Sequence, residues 1–391
     1  PAAWPAARCW LQRRGASAAH EELMERLPVT TFNEDVFTDA LFGLSPATRR
    51  PAFLERFDWI VDVGDCWEHP VRRLTRRLTR EAKTVAAGPH AVEQVLALAV
   101  ADLDASHSNR TIVFLGSVQY LSDAFGGGAA ASGGGGQGDR REATAAVVAR
   151  LRRFFDRVLY AVRDVDVDGV LTMPSGITEH YYRRSAPSLL AAAAATSNFT
   201  EDAAAKPWVA LVGFGKTFVF WDGLDASPLL RGEGSSAQWI RHGEEHLRGR
   251  ARGSAAATVS RSALRLWVQT DTARTAGVQQ RSIPQDLFYH ELSKYRFLLA
   301  PLGDGIWTPK VTEALMVLTI PIVQRGPYPL FDDYVRMGFP IVVIDEWHEV
   351  TQAALEAWWR RLSPRLSSFR DNCLTTEAYW KIAVGELTSC A

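Results

Sequence analysis

From residue 284 to residue 362 the sequence alternates helix-like stretches of about ten residues with apolar runs of five or six. The pattern predicts helices at 284–294, 309–318, 328–337 and 350–362, separated by strands at 296–301, 320–324 and 339–344. Strands joined through a helix of that length cannot form a hairpin. They run parallel through right-handed crossovers, which builds a doubly wound sheet. The N-terminal half repeats the style more loosely, with strands at 58–65 and 110–117, a helix at 90–103, and a strand and turn at 169–176. Between them Leu151, Phe154, Phe155, Val158, Leu159 and Val162 share one face at the 3.6-residue period, which predicts another helix. With 391 residues, 47% of them hydrophobic, the chain can bury two cores rather than one. The expected fold class is α/β, with two Rossmann-like doubly wound domains facing each other across a cleft.

Boundaries follow from composition. Residues 1–30 are rich in Ala and Arg and are expected to be poorly ordered. An N-terminal α/β domain is expected over 31–190, a C-terminal one over 205–350, and helices over 351–391 that pack back toward the first domain. The junction falls near 186–206. Two stretches lack the apolar periodicity of packed elements: the Gly-rich 124–139 and the Gly/Ser/Arg-rich 231–257, both read as solvated insertions.

Charge narrows the function classes. Forty-four basic residues balance 44 acidic ones, so a general nucleic-acid or acidic-lipid binder is not expected. The basic run "RRLTRRLTR" (72–80) reads as an exposed helix face. No apolar run approaches the length of a membrane span. The chain begins with Pro1, so a leader or membrane anchor can precede this stretch. Cys9, Cys66, Cys373 and Cys390 show no metal-ligand spacing; Cys373 and Cys390 could bridge, although spacing alone does not decide it. The sequons at Asn109 and Asn198 fit a Golgi or secretory-pathway lumen.

The chemistry concentrates in "YRFLLAPLGDGIWTPKVTEALMVLTIPIV" (295–323). A strand runs into a Gly-Asp-Gly loop, then Thr308 as N-cap, Pro309 at the first helical position, and Lys310 and Glu313 one turn apart on the same helix face. Ligands of open α/β sheets bind beyond the carboxyl ends of the strands, which is where this loop lies. A cation there suits a diphosphate and a carboxylate suits a vicinal diol, so the pair suits a nucleotide with its ribose. The plainer reading is an i,i+3 salt bridge on a solvated face, a matter of tenths of a kcal/mol.

This segment resembles the donor-binding segment of exostosin-like glycosyltransferases. The likeness rests on Pro301, Gly303, Thr308-Pro309-Lys310, Glu313-Ala314 and Ile320-Pro321-Ile322-Val323, and is clear over roughly 284–350, with "LTTEAYW" (374–380) a weaker match. It departs at Lys310, where the family usually has Arg, and at Leu318-Thr319, where it usually has Gly-Cys. The resemblance implies a GT-B fold and a nucleotide-sugar donor, UDP-linked, held by the C-terminal domain. It implies that Glu313 binds the ribose and Lys310 the diphosphate, with Gly303, Asp304, Gly305 and Thr308 shaping the loop. It also implies inversion by direct displacement, with a glycan or glycoprotein hydroxyl as acceptor on the N-terminal domain.

Other motifs take their place around that reading. "VGFGKT" (212–217) lacks the first Gly of a phosphate loop, Ala210 standing there, and runs on into a strand-like "FVFWD"; Gly213 and Gly215 are expected to line the donor side instead. "VGDCWEH" (63–69) offers Asp65, Glu68 and His69 as candidate bases for the acceptor proton, or as caps of the following basic segment. "PSGITEHYYRR" (174–184) offers Glu179 and His180, with Tyr181 and Tyr182 to stack on a sugar and Arg183 for an acidic group, or else an ordinary helix start. The choice between the two segments stays open. "DVDVD" (164–168) precedes its strand instead of ending one, so no metal is required and no cofactor is expected beyond the donor. Trp307 can stack on a base or sugar ring. The rival from another class is a catalytically inactive GT-B-fold glycan-binding protein. A dinucleotide oxidoreductase would need a G-x-G-x-x-G after a strand, and none is present.

Overall fold

The structure is a computed structural model that describes residues 29–31, 52–63, 74–115, 119–126, 137–178, 186–196, 206–213, 234–247, 255–303 and 306–390. Its strands, in chain order, are β1 (Val29–Thr31), β2 (Trp59–Val63), β3 (Leu74–Arg77), β4 (Thr84–Ala87), β5 (Thr111–Phe114), β6 (Arg157–Tyr160), β7 (Val170–Thr172), β8 (Ile177–Thr178), β9 (Trp208–Val212), β10 (Val278–Gln280), β11 (Tyr295–Ala300), β12 (Ile320–Gln324) and β13 (Val342–Ile344).

They form a mixed α/β structure with two large sheets. The first has the order β3-β2-β4-β5-β6-β7, parallel except for the β2–β3 pair. The second, β10-β9-β11-β12-β13, is parallel throughout. A two-stranded parallel pair joins β1 to β8. Interior strands of both sheets are buried along their length, as apolar runs covered on both faces must be.

Between 288 and 362 the helices Phe288–Leu292, Lys310–Met316, Leu330–Arg336 and Gln352–Leu362 stand in the expected alternation with β11, β12 and β13. Leu318 takes φ 56, and Thr319 N–H donates to Ala314 O at 2.8 Å, closing the 310–316 helix as glycine would. Lys206 is buried beneath that end. Its Nζ donates to Ser293 O (2.5 Å), Val317 O (3.1 Å) and Thr319 Oγ1 (3.2 Å), and burial pushes the amine down to about 7.

Three expectations are corrected. The described part of the basic run, 74–80, is not a helix: Leu74–Arg77 is the antiparallel edge strand β3, and Arg77 stacks 4.4 Å over the Trp59 ring. Charge on an edge strand discourages further pairing, so the same arginines suit either role. The helix read through Val162 stops at Leu151; Phe155 is buried in the following turn, and Val158 and Leu159 belong to β6. The apolar spacing came from a helix end followed by a buried strand, which a 3.6-residue count cannot separate. Within 231–257, Ser236–Leu247 is a helix with Ile240 fully buried, packed on the helix Ala255–Trp267. Its Ser236 N–H and hydroxyl both bond the Glu346 carboxylate, at 2.5 and 2.6 Å.

The C-terminal helices reach the first sheet. Arg157 on β6 donates to Ile382 O (3.1 Å) and Ala383 O (3.3 Å), Arg56 pairs with Glu377 at 2.6 Å, and Phe57 meets Trp380 edge-on. A disulfide joins Cys373 and Cys390, with Cα atoms 5.9 Å apart. Cys9 and Cys66 lie outside the described residues, as do 1–28 and 127–136.

Candidate functional site

Strand order fixes where a ligand can enter. In the second sheet the chain winds from β9 to β10 on one side, then returns past β9 to begin β11 on the other. Connections leaving neighbouring strands in opposite directions open a crevice at their carboxyl ends. Here the crevice lies between the end of β9, at Gly213, and the loop after β11, from Pro301 to Pro309. Two of the expected donor elements are therefore brought together by topology.

The loop is tightly built. Ile306 N–H donates to Gly303 O at 3.0 Å, and Ile306 takes φ 59, a costly conformation for a β-branched residue. A Cβ on Gly303 would lie 2.1 Å from Trp307 O, so only glycine fits. The Trp307 indole is buried, and its Nε1 finds no hydrogen-bond partner among the described residues. Thr308 lies one residue earlier than its expected capping role: Pro309 is the N-cap and Lys310 begins the helix, with Lys310 N–H 3.4 Å from Thr308 Oγ1.

Lys310 and Glu313 do meet, with Nζ 2.8 Å from Oε2. They are not on a solvated face: the Glu313 side chain is 2% exposed, against 34% for Lys310. The Lys310 ammonium also lies 4.0 Å over the Phe288 ring. Phe288 in turn packs where a Gly213 side chain would stand, 3.1 Å from that position. End of β9, Phe288, Lys310 and Glu313 thus form one contiguous group, with the cation as its outer layer over a buried carboxylate.

The first sheet approaches this group from its own carboxyl ends. The Ser175 peptide, three residues beyond β7, is the meeting point: its N–H donates to Tyr334 Oη (2.6 Å), and its O accepts from Thr312 Oγ1 (3.0 Å) and Tyr379 Oη (3.3 Å). Thr312 lies on the Lys310–Met316 helix itself. Burial pushes the Tyr334 phenol up to about 12 and Tyr379 well above its ordinary value, so both stay neutral, Tyr334 accepting from the Ser175 N–H and Tyr379 donating to its O. Beside them Asp333 accepts from Arg163 Nη1 at 2.7 Å and from the Thr172 hydroxyl, and it pairs with Arg336. Tyr120, after β5, contacts Tyr328, after β12, with ring centroids 6.3 Å apart.

A second constellation was not anticipated from the sequence. In the first sheet chain order turns between β2 and β4, and at their carboxyl ends His90 Nε2 stands 3.0 Å from Asp62 Oδ2. Asp62 sits at an irregularity in the β2–β3 pairing with φ 51. A Cβ on the facing Gly88 would lie 2.2 Å from Asp62 O and 2.9 Å from His90 Cε1. The available signals were an aspartate near the end of an apolar strand and a Gly-Pro-His directly after another.

Of the remaining expected site residues, Asp65, Glu68, His69, Glu179, His180, Gly215, Asp304 and Gly305 lie outside the described residues, as do Tyr181, Tyr182 and Arg183. Among the described residues no group of three or more His, Cys, Asp or Glu side chains could hold a metal ion.

No family model and no curated protein matches the sequence. Two solved structures of the Anabaena protein HepE, one in complex with UDP and glucose and one with UDP-glucose, match at 10% identity over 79% of this chain and 75% of that one. Their TM-scores are 0.29 and 0.30, and a superposition that loose carries no functional argument.

Proposed function

We propose that this chain is a glycosyltransferase of exostosin-like, GT-B type, moving a sugar from a UDP-linked donor to a hydroxyl of a glycan or glycoprotein with inversion. One observation carries the reading: a buried carboxylate, Glu313, covered by a half-exposed cation, Lys310, at the strand-order switch point of a parallel sheet. A buried carboxylate beneath a movable cation suits a ligand that brings both an anion and a diol. The diphosphate draws the Lys310 ammonium off Glu313, and the uncovered carboxylate accepts from the ribose hydroxyls. The helix that starts at Lys310 has only seven residues, so the full charge of Lys310, more than a helix dipole, stabilises the departing diphosphate.

The acceptor belongs on the opposite wall, at the carboxyl ends of β2, β4 and β7. The Cys373–Cys390 disulfide and the sequon at Asn109 support a secretory-pathway lumen as the site of action. Burial of Glu313 also suits the rival, a glycan-binding protein in which the pair is only structural. The two separate in one assay. Incubation with a panel of UDP-sugars, followed by detection of released UDP, should show turnover with at least one sugar. A protein that binds glycans but neither binds UDP nor releases it from any donor contradicts the proposal.

A further inference from the structure

Four features converge on the carboxyl ends of β2 and β4. β2 is irregular where it reaches Asp62. Asp62 adopts φ 51, in the left-handed region that non-glycine residues seldom occupy. Gly88, next in register across from Asp62, lets the two strands and the His90 ring approach so closely that a Cβ there would lie 2.2 Å from Asp62 O. His90 follows on the short 3-10 helix Pro89–Ala91, placing an imidazole nitrogen 3.0 Å from the Asp62 carboxylate. Irregular strand positions of this kind re-aim a side chain, and backbone outliers persist where the surroundings hold them for a task.

The pair also lies on the correct side. The Pro89–Ala91 helix packs against the helix Leu121–Phe125. The residue just before that helix, Tyr120, meets Tyr328 beyond β12. Tyr328 and Leu302 both border Gly326, so the line of contacts ends on the Pro301–Pro309 loop. Both side chains keep solvent access, 26% exposed for His90 and 20% for Asp62.

We infer that His90, charge-paired with Asp62, is the general base that takes the acceptor proton, an inference that rests on the glycosyltransferase reading above. As the acceptor oxygen attacks the anomeric carbon, its proton passes to the imidazole. The carbon–oxygen bond to the diphosphate breaks, and nucleoside diphosphate leaves with the electron pair. Asp62 does not touch substrate; its carboxylate, 3.0 Å from Nε2 but out of line for a hydrogen bond, stabilises by charge the imidazolium that forms. The assignment moves the base out of both segments expected from sequence, onto a His-Asp pair that neither contained.

The test measures UDP release from UDP-glucose, UDP-N-acetylglucosamine and UDP-glucuronate for the wild type, His90→Gln and Asp62→Asn, beside UDP affinity by calorimetry. The expected result for His90→Gln is a fall in kcat of about 10²- to 10⁴-fold, with UDP affinity unchanged within about twofold. Asp62→Asn should lower kcat with little change in KM, the signature of a positioning role. If His90→Gln fails to fold, Asp62→Asn carries the test on the same split. Wild-type turnover retained by His90→Gln overturns the inference and leaves the donor-site reading standing. A parallel loss of UDP affinity overturns it as well, because the pair would then serve the donor. A wild type that neither binds UDP nor turns over any donor overturns both.

Discussion

Asp333 ties the two sheets together, and its removal should be costly. The carboxylate accepts from Arg163, before β7, and from Thr172 on β7, while Asp333 itself lies on the Leu330–Arg336 helix beyond β12. Both members of the Arg163–Asp333 pair have side chains only 9% exposed. Asp333→Ala leaves a buried guanidinium without its best partner, a class of change that costs about 3–5 kcal/mol. Arg163 also pairs with Asp166, whose side chain is 75% exposed, and this retained contact offsets some of the loss. A net effect of about 3 kcal/mol follows. With an unfolding entropy of about 2.1 cal/mol/K per residue, that is a drop in Tm of about 4 °C if the chain melts as one unit. Replacing the pair together, Arg163→Met with Asp333→Leu, removes the buried charges and should recover to within about 1 kcal/mol of the wild type. Urea unfolding followed by tryptophan fluorescence gives both numbers. An Asp333→Ala variant within about 1 kcal/mol of the wild type, or a double variant no better than the single one, would refute the reasoning.

Lys206 predicts a pH dependence. Its folded value, about 7, lies below the ordinary 10.5, so the unfolded chain holds more protons between those limits and stability rises with pH across them. The slope reaches at most about 1.4 kcal/mol per pH unit; it should be absent from Lys206→Met, and an identical slope in that variant would rule out Lys206 as its source. At Leu318 two effects compete. Leu318→Gly relieves about 1 kcal/mol of left-handed strain but forfeits a fully buried side chain worth about 2–3 kcal/mol, so the melting temperature should fall. Gly303→Ala sets a Cβ against the Trp307 carbonyl and should cost about 1–3 kcal/mol, while weakening UDP binding through the displaced loop; unchanged affinity would separate that loop from the donor.

How much of this was legible depended on how far local pattern coincides with burial. In β11 to β13 the strands are short, mostly apolar and separated by single helices, so periodicity located them, β12 to the residue. The pattern failed where two elements share a register by accident, as from Leu151 through β6, and where charge lies on an edge strand, as in β3. Glycine and serine content disguised the Ser236–Leu247 helix, whose place is set by distant bonds to Glu346. At the candidate site, Lys310 and Glu313 were readable because one turn of helix joins them. Burial of Glu313 was not, since it depends on the tertiary packing around the 310–316 helix and not on the residues of that helix. His90 and Asp62 are 28 positions apart, and only the parallel pairing of β2 with β4 makes them neighbours.

The central claim is that Glu313 and Lys310 hold the nucleotide of the donor, and calorimetric titration with UDP tests it most directly. The wild type should bind. Glu313→Ala should weaken that binding by about 1.5–3 kcal/mol, the range for a hydrogen bond to a charged group. Lys310→Ala should lower turnover more than affinity, because charge on the leaving diphosphate grows in the transition state, and Lys310→Arg should keep most of both. Melting curves of the same samples separate binding from folding. If Glu313→Ala loses stability while UDP affinity stays at the wild-type value, the pair is a buried structural salt bridge and the donor site lies elsewhere.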